Sequence, residues 1–369
     1  MTKASLIAIL AFLLFLFAVL PVAAQASGPV RFRMTLLSLY EKSDLIFIGR
    51  YDKKEDSGTN RVGDGFTVVT TKTYFDVSTV LKGDARKFVA LDDEEFRYQI
   101  QPKNSGEAPR DAVFIEDIGS YDADAQPKPG DTVLVFATGQ GDSFELIDQR
   151  DGVKKVSPQD AEVFASRIGE LIDIFVPGKT DPVQLADWLI RCAQEPVTRW
   201  DGAHELFQGF RRIDWQRQAN SKTPDGFDPL VSDDLGREAA RKLTTEQKTA
   251  LAHLLLDLQP ASNASVAGLA SGDRELVSLV RRWDSSAVTR CLAAQLRSQA
   301  FTVHENAGFM FMIAELLGDA RATSLARQYA EFSAGDISSG EDQVRKRTVS
   351  SFLGVVDHLL AADRSKKPC

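Results

Sequence analysis

The residues best equipped for chemistry are four histidines, all in the second half of the chain, and chemistry would require of each a companion at metal-binding or proton-transfer spacing. His204-Glu205-Leu206-Phe207-Gln208 begins like a zinc-protease helix, in which two histidines one turn apart face the metal and a glutamate acts as base. Gln208 stands where the second histidine belongs. His304-Glu305 has the same defect at Gly308, and His253 and His358 are flanked by leucines on amphipathic segments. A Gly-x-Ser-x-Gly elbow and a Walker A loop are both missing from the sequence. Gly139 to Ser143 reads as a hairpin turn, not a phosphate cradle, because a strand and not a helix follows it. The acidic groups Asp92-Asp93-Glu94-Glu95 and Asp122-x-Asp124 lack the alternating oxygen ligands and closing glutamate of a calcium loop, so they read as solvated charge. No catalytic, cofactor-binding or metal-binding residue is expected from local pattern, and no cofactor. An enzyme would need a site assembled from distant residues such as His204, His253 and the acidic loops.

Three cysteines occur, Cys192, Cys291 and Cys369. Cys192 follows Leu185, Trp188 and Leu189, and Cys291 lies beside Val288 and Leu292, so both sit on apolar helix faces. Two buried thiols are expected there, with a Cys192–Cys291 disulfide as the alternative in an oxidising compartment. Cys369 is terminal and is expected to fray.

These residues must be positioned by two kinds of structure. From about residue 30 to 156 the pattern is that of strands: 44–50, 66–81, 88–91, 112–115, 132–137 and 144–147, rich in β-branched and aromatic residues and punctuated by Lys82-Gly83-Asp84 and Gly139-Gln140-Gly141-Asp142. Short strands so punctuated predict a closed or nearly closed barrel. The period changes at Ser157-Pro158, where a capping serine and a proline suited to the first helical position precede Phe164, Ile168, Leu171 and Ile172. Asp181-Pro182 repeats the device. Further helices are expected from Trp200 onward and at 245–258, 273–283, 285–301, 306–317, 320–332 and 341–362, with a long loop at 220–234. Helix pairs of this length predict a solenoid-like array, with an irregular bundle as the alternative.

Ser43-Asp44-Leu45-Ile46-Phe47-Ile48-Gly49-Arg50, then Thr73 to Asp84 with Phe75-Asp76-Val77 and Val80-Leu81-Lys82-Gly83-Asp84, then Lys128-Pro129-Gly130-Asp131-Thr132-Val133-Leu134-Val135-Phe136, resemble bacterial secreted domains of the netrin or tissue-inhibitor-of-metalloproteinase type. The resemblance covers roughly a third of the chain and implies a five-stranded, antiparallel OB-like barrel. The family's inhibitors chelate a protease zinc through a mature N-terminal cysteine held by disulfides. Here the mature terminus would be Gln25 or Ser27 and the strand-rich half has no cysteine, so that chemistry is not implied. The helical half resembles HEAT-like repeats more loosely, through Ser278 to Leu292.

Lys3, the apolar run Leu6 to Leu20, Pro21 and Ala24-Gln25-Ala26 have the layout of a secretory signal peptide. The run of about 15 residues is shorter than the roughly 20 that a spanning helix needs. The expected organisation is therefore a signal peptide over 1–26, an OB-like barrel domain over 27–156 and an α-helical domain over 157–369, each with its own apolar interior: an α+β two-domain protein. With a net charge of -8 and an acidic excess in both halves, nucleic acid is not an expected partner. The sequence-level expectation is an exported, periplasmic or secreted protein that binds another protein without catalysis and is not stably inserted in a membrane; an envelope hydrolase or metal-dependent enzyme is the alternative.

Overall fold

The computed structural model describes residues 33–63, 66–100, 110–113, 127–141, 143–148, 151–175, 180–218, 235–258, 271–298, 303–331 and 339–361. The signal-peptide segment, Asp122, Asp124 and the 220–234 loop lie outside the described residues. A short helix α1 (Leu36–Lys42) precedes strands β1 (Leu45–Gly63), β2 (Phe66–Lys82), β3 (Phe88–Ile100), β4 (Arg110–Val113), β5 (Thr132–Gln140), β6 (Ser143–Leu146) and β7 (Val153–Lys155). The helices α2 (Pro158–Ile174), α3 (Pro182–Gln194), α4 (Arg199–Gln218), α5 (Leu235–Lys242), α6 (Thr245–His253), α7 (Ser271–Ser298), α8 (Val303–Leu317), α9 (Ala320–Glu331) and α10 (Ser339–Ala361) follow. The layout is a strand-built part followed by a helix-built part.

The sheet is mixed, which corrects the expectation of a purely antiparallel one. Antiparallel ladders join β1 to β2, β2 to β3, β3 to β4, β5 to β6 and β5 to β7, whereas β3 and β6 run parallel through Leu91↔Phe144 and Asp92↔Glu145. β1 also pairs antiparallel with β5, from Leu45↔Ala137 to Arg50↔Thr132, so the chain of hydrogen-bonded neighbours returns to its start. Gly139 and Gly141 take positive φ (140° and 63°) at the β5–β6 hairpin, where the sequence placed it.

Over residues 45–48 and 133–137 the β1–β5 pair has no solvent face. Leu45 and Phe47 of β1 and Val133, Val135 and Ala137 of β5 join Phe75, Val89, Leu91 and Phe144 in one apolar cluster. Their alternates, Ile46 and Ile48 and Leu134 and Phe136, join α1, α2 and the rest of the helices in a second. This explains the unbroken apolar runs at 45–48 and 133–137: a strand covered on both faces need not alternate. One cluster is thus confined to the strand-built part, and the other is shared by the strand-built and helix-built parts. The second cluster runs without a break from Met34 through Ile46 and Phe136 to Val356.

Helix α1 is wedged into that shared interior, with Leu36, Leu37 and Leu39 fully buried. The ammonium of Lys82, at the end of β2, donates to the Tyr40 carbonyl at 2.7 Å and lies 4.4 Å from the Tyr40 ring centroid. A cation at a helix C-terminus is favourable. Ser157 caps α2 by accepting from the Asp160 amide, and Asp181 caps α3 by accepting from the Val183 amide. Helix α7 contains a break at Asp284 (φ -149°, ψ 73°), whose carboxylate caps the following turn through the Ala287 amide at 2.9 Å. That break falls where the sequence separated two helices.

Helix α4 is the hub, packing on α3, α5 and α7, while α8, α9 and α10 follow α7 as successive neighbours. Close approach to α3 and α5 depends on two glycines. A Cβ at Gly202 would lie 2.2 Å from the Leu189 carbonyl oxygen and 2.5 Å from the Ala193 nitrogen, and one at Gly209 would lie 2.4 Å from the Gly236 oxygen. These neighbours are backbone and cannot swing aside.

Two outcomes are expected. Gly202→Ala should lower unfolding free energy by about 1–3 kcal/mol, the usual range for overpacking, read from the urea midpoint at unchanged slope. Fragments 27–156 and 157–369 expressed alone should aggregate, because each exposes its side of the shared cluster; two monomeric fragments with cooperative melts would contradict this.

Candidate functional site

A buried group of ionisable side chains lies where the strand-built part meets α4. It grows from three consecutive residues, each held by a different carboxylate. The Met34 amide donates to Asp151 at 2.6 Å, the Thr35 hydroxyl donates to Glu205, and the Leu36 amide donates to Asp201 at 2.7 Å. Thr35 also caps α1, accepting from the Ser38 amide at 3.2 Å. All three carboxylate residues are buried.

Each is delivered by a local device. Asp201 and Glu205 stand four apart in α4, hence on one face. Asp151 sits in a turn closed by the Gly152 amide on the Asp148 carbonyl at 2.9 Å, and the Asp151 amide donates to the Asp148 carboxylate at 3.0 Å. β7 then pairs Lys154 with Leu134. Cross-strand partners share a face, so Lys154 is directed to the helix side of the sheet, toward Asp201.

The electrostatics follow from that burial. Burial raises the Asp151 carboxyl above its ordinary 3.8, against the opposing pull of Lys154, the Met34 amide and Arg33. Burial lowers the Lys154 ammonium below its ordinary 10.5; Asp201 and Asp151 resist the shift and Arg33 adds to it. Beside them the Arg33 guanidinium lies 4.4 Å from the Trp200 ring centroid, and that ring stacks on His204 at 4.7 Å. His204 Nδ1 is 3.4 Å from Glu275 Oε1. Arg199 and Asp273 form a buried ion pair at 2.5 Å, tying the start of α4 to the start of α7.

Chemically this is a joint. Its carboxylate oxygens accept from the chain's own backbone amides and hydroxyl at the first turn of α1, where unmatched helical N–H groups need acceptors. His204 and His253 do not share a site: His204 is buried beside Trp200 and Glu275, whereas His253 is exposed at the end of α6. His358 is exposed on α10, and the His304 side chain lies outside the described residues. Among the described residues, no group of three or more histidines, cysteines and carboxylates is placed to hold a metal ion.

Asp92 and Asp93 lie within β3, where the sequence placed them after a strand. Successive strand residues point to opposite faces. Asp92 pairs with Lys72 at 3.3 Å and Asp93 lies 3.7 Å from Lys54. The Cys192–Cys291 bridge is not formed. Cys192 is a buried free thiol, pushed well above its ordinary 9.0 by burial and then by Asp201, while Cys291 is disulfide-bonded.

Asp151, Lys154, Asp201, Glu205 and Arg33 had no local motif to announce them. The available signal was Asp201 and Glu205 one turn apart among small and apolar residues, on a helix that is buried on nearly every side from Asp201 to Leu206. No protein family, no curated protein and no solved structure matches this chain.

The sign of the Asp151 effect can be tested. A carboxyl whose folded value is raised holds its proton more tightly in the native state, so its contribution to stability is greatest below 3.8 and declines as pH rises through the raised value. Asp151→Asn keeps an oxygen for the Met34 amide and should remove this decline, leaving stability near pH 7 equal or higher. Asp151→Ala strands the amide and should cost about 1–3 kcal/mol. Urea midpoints of both variants at several pH values between about 3 and 7 check this.

Proposed function

We propose that this is an exported, non-catalytic protein of the cell envelope whose OB-like barrel and helical array serve as scaffolds for contact with another protein. The observation that carries this reading is the engagement of the buried ionisable cluster with the chain's own backbone. Asp151, Asp201 and Glu205 hold Met34, Thr35 and Leu36, which is the arrangement of an internal joint.

The OB-like reading of the strand-built part is supported by the strand order β1-β2-β3-β6-β5 returning to β1, as a closed or nearly closed barrel requires. A solenoid-like reading of the last helices is supported by α7, α8, α9 and α10 packing in succession. Export is supported by the apolar leader sequence.

A protein partner has a suitable surface in the open groove between α7 and α8, about 230 Å³ in volume. Val277, Met312 and Leu316 supply apolar lining, and Arg274, Arg281 and Glu315 supply charge. Arg281 and Glu315 pair at 2.9 Å, and Phe311, next in sequence to Met312, is 41% exposed. An apolar anchor combined with arginine is the composition of binding hot spots.

The experiment is capture from envelope extract on the immobilised mature chain. A partner retained by the wild type should lose about tenfold in affinity, ~1.4 kcal/mol, against Arg274→Glu combined with Met312→Ser, with circular dichroism unchanged. Stoichiometric zinc or calcium in the purified protein, or ester, peptide or phosphoester turnover abolished by Lys154→Gln in a folded protein, would establish the distributed-site enzyme instead.

A further inference from the structure

We infer, on the protein-contact reading above, that the groove between α7 and α8 receives an acidic amphipathic helix of the partner. Two carboxylates of that helix, seven residues apart, meet Arg274 and Arg281, and one bulky apolar side chain between them fills the groove.

The groove has an apolar floor and a charged rim. Val277 is buried at the base, and Met312 and Leu316 are half-buried beside it, packed on the larger apolar cluster. An apolar cavity of about 150 Å³ holds a benzene ring. The groove, at about 230 Å³, therefore suits a single aromatic or leucine side chain and not a row of them. Arg274 and Arg281 are exposed on one face of α7, and Glu315 of α8 is the one carboxylate residue lining the groove among the described residues. The chain as a whole carries a net charge of -8, so a rim of two arginines to one glutamate is opposite in sign to the molecule that bears it. Charge complementarity at this rim calls for carboxylates.

The spacing selects a helix. Arg274 and Arg281 are separated along the α7 axis by about 10.5 Å, at 1.5 Å per residue. A partner helix lying along α7 matches that distance with carboxylates at i and i+7, and its residue i+3 or i+4 falls between them on the same face. In a strand, residues of one face recur about every 6.6 Å, so no pair of them matches the separation.

Arg281 already pairs with Glu315 at 2.9 Å, the two side chains being 45% and 69% exposed. A pair so exposed contributes little. An incoming carboxylate therefore takes over Arg281 at small cost, and Glu315 is left beside it as a like charge. Glu315 opposes the acidic helix, so its neutralisation strengthens binding.

The test uses the whole mature chain and a fluorescent, alanine-rich helical peptide of about 18 residues, with two glutamates seven apart and a leucine midway on the same face. Anisotropy should show saturable binding with a Kd under about 1 mM, weakening as salt is added. Arg274→Glu and Arg281→Glu should each weaken it about tenfold, and Met312→Ser about fivefold, with circular dichroism unchanged. Arg274→Gln and Arg281→Gln carry the test if either reversed charge disturbs folding. Glu315→Gln should strengthen binding about two- to threefold. A peptide with lysine in place of both glutamates should not bind. No saturable binding, equal binding of the lysine peptide, indifference to both arginine substitutions or weaker binding by Glu315→Gln overturns the proposal. Self-association of the chain abolished by Met312→Ser also overturns it, by making a second copy the occupant. An envelope partner whose retention needs Met312 but neither arginine overturns the acidic helix and leaves the protein-contact reading standing. Peptide binding with the expected substitution pattern, but no partner in envelope extract, supports the helix site and counts against the envelope reading alone.

Discussion

Burial of both faces of the β1–β5 pair is the constraint on which the rest of the structure depends. Each residue from Leu45 to Ile48 belongs to one of two apolar clusters, and its neighbour in sequence belongs to the other. A slip of one residue in this ladder would send every side chain to the opposite cluster, so register is enforced from both sides. Asp44 fixes the end of the ladder, its carboxylate accepting from the Gly139 amide and the Thr138 hydroxyl at 2.9 Å each. Because one of the two clusters is completed by helices, the sheet cannot reach its native environment before the helical part is in place. The change from strand to helix at Ser157 is a change of secondary structure across which one of the two apolar clusters continues.

The charged joint stands at the margin of that interior and has a different energetic character. Burial opposes ionisation of Asp151 and Lys154, and their mutual attraction offsets part of the cost. Such clusters are weak sources of net stability and strong sources of unique geometry when every member has a defined partner. Here the geometry set is the path of Met34, Thr35 and Leu36, hence the insertion of α1 between sheet and helices. Replacing these carboxylates by apolar groups would leave the backbone amides of 34 and 36 without acceptors, which accounts for the presence of acidic residues in so buried a place. The buried Arg199–Asp273 pair and the close contacts at Gly202 and Gly209 then carry the alignment outward from α4 to α7, α3 and α5.

Much of the fold was legible because its determinants are local. The caps at Ser157 and Asp181 and the interruption at Asp284 each follow from a side chain that satisfies nearby amides, and all three occur where the sequence placed them. Short elements escaped notice. β7 is three residues with two lysines, and it is a strand because β5 offers it an edge. α5 is eight residues that begin with Leu235-Gly236, held by backbone contact with Gly209. β1 continues through Asp52-Lys53-Lys54-Glu55-Asp56, which reads as a polar loop, because β2 pairs with it over that stretch. In each case the stabilising partner is distant in sequence.

The site was less legible than the fold for the same reason. The histidines and acidic runs drew attention as isolated residues, yet His204 is engaged with Trp200 and Glu275, and Asp92 and Asp93 are directed to opposite faces of a strand. Sequence alone determined the order of strands then helices, their caps and turns, and the two unbroken apolar runs of the central wall, since these depend on conformational preference and burial of neighbouring residues. Only the tertiary structure decided the rest: that one of the two apolar clusters is shared by sheet and helices, that three carboxylates from separate segments close on residues 34–36, and that Cys192 and Cys291 are not joined to each other. Those outcomes depend on distances between residues far apart in the chain, which no local spacing encodes.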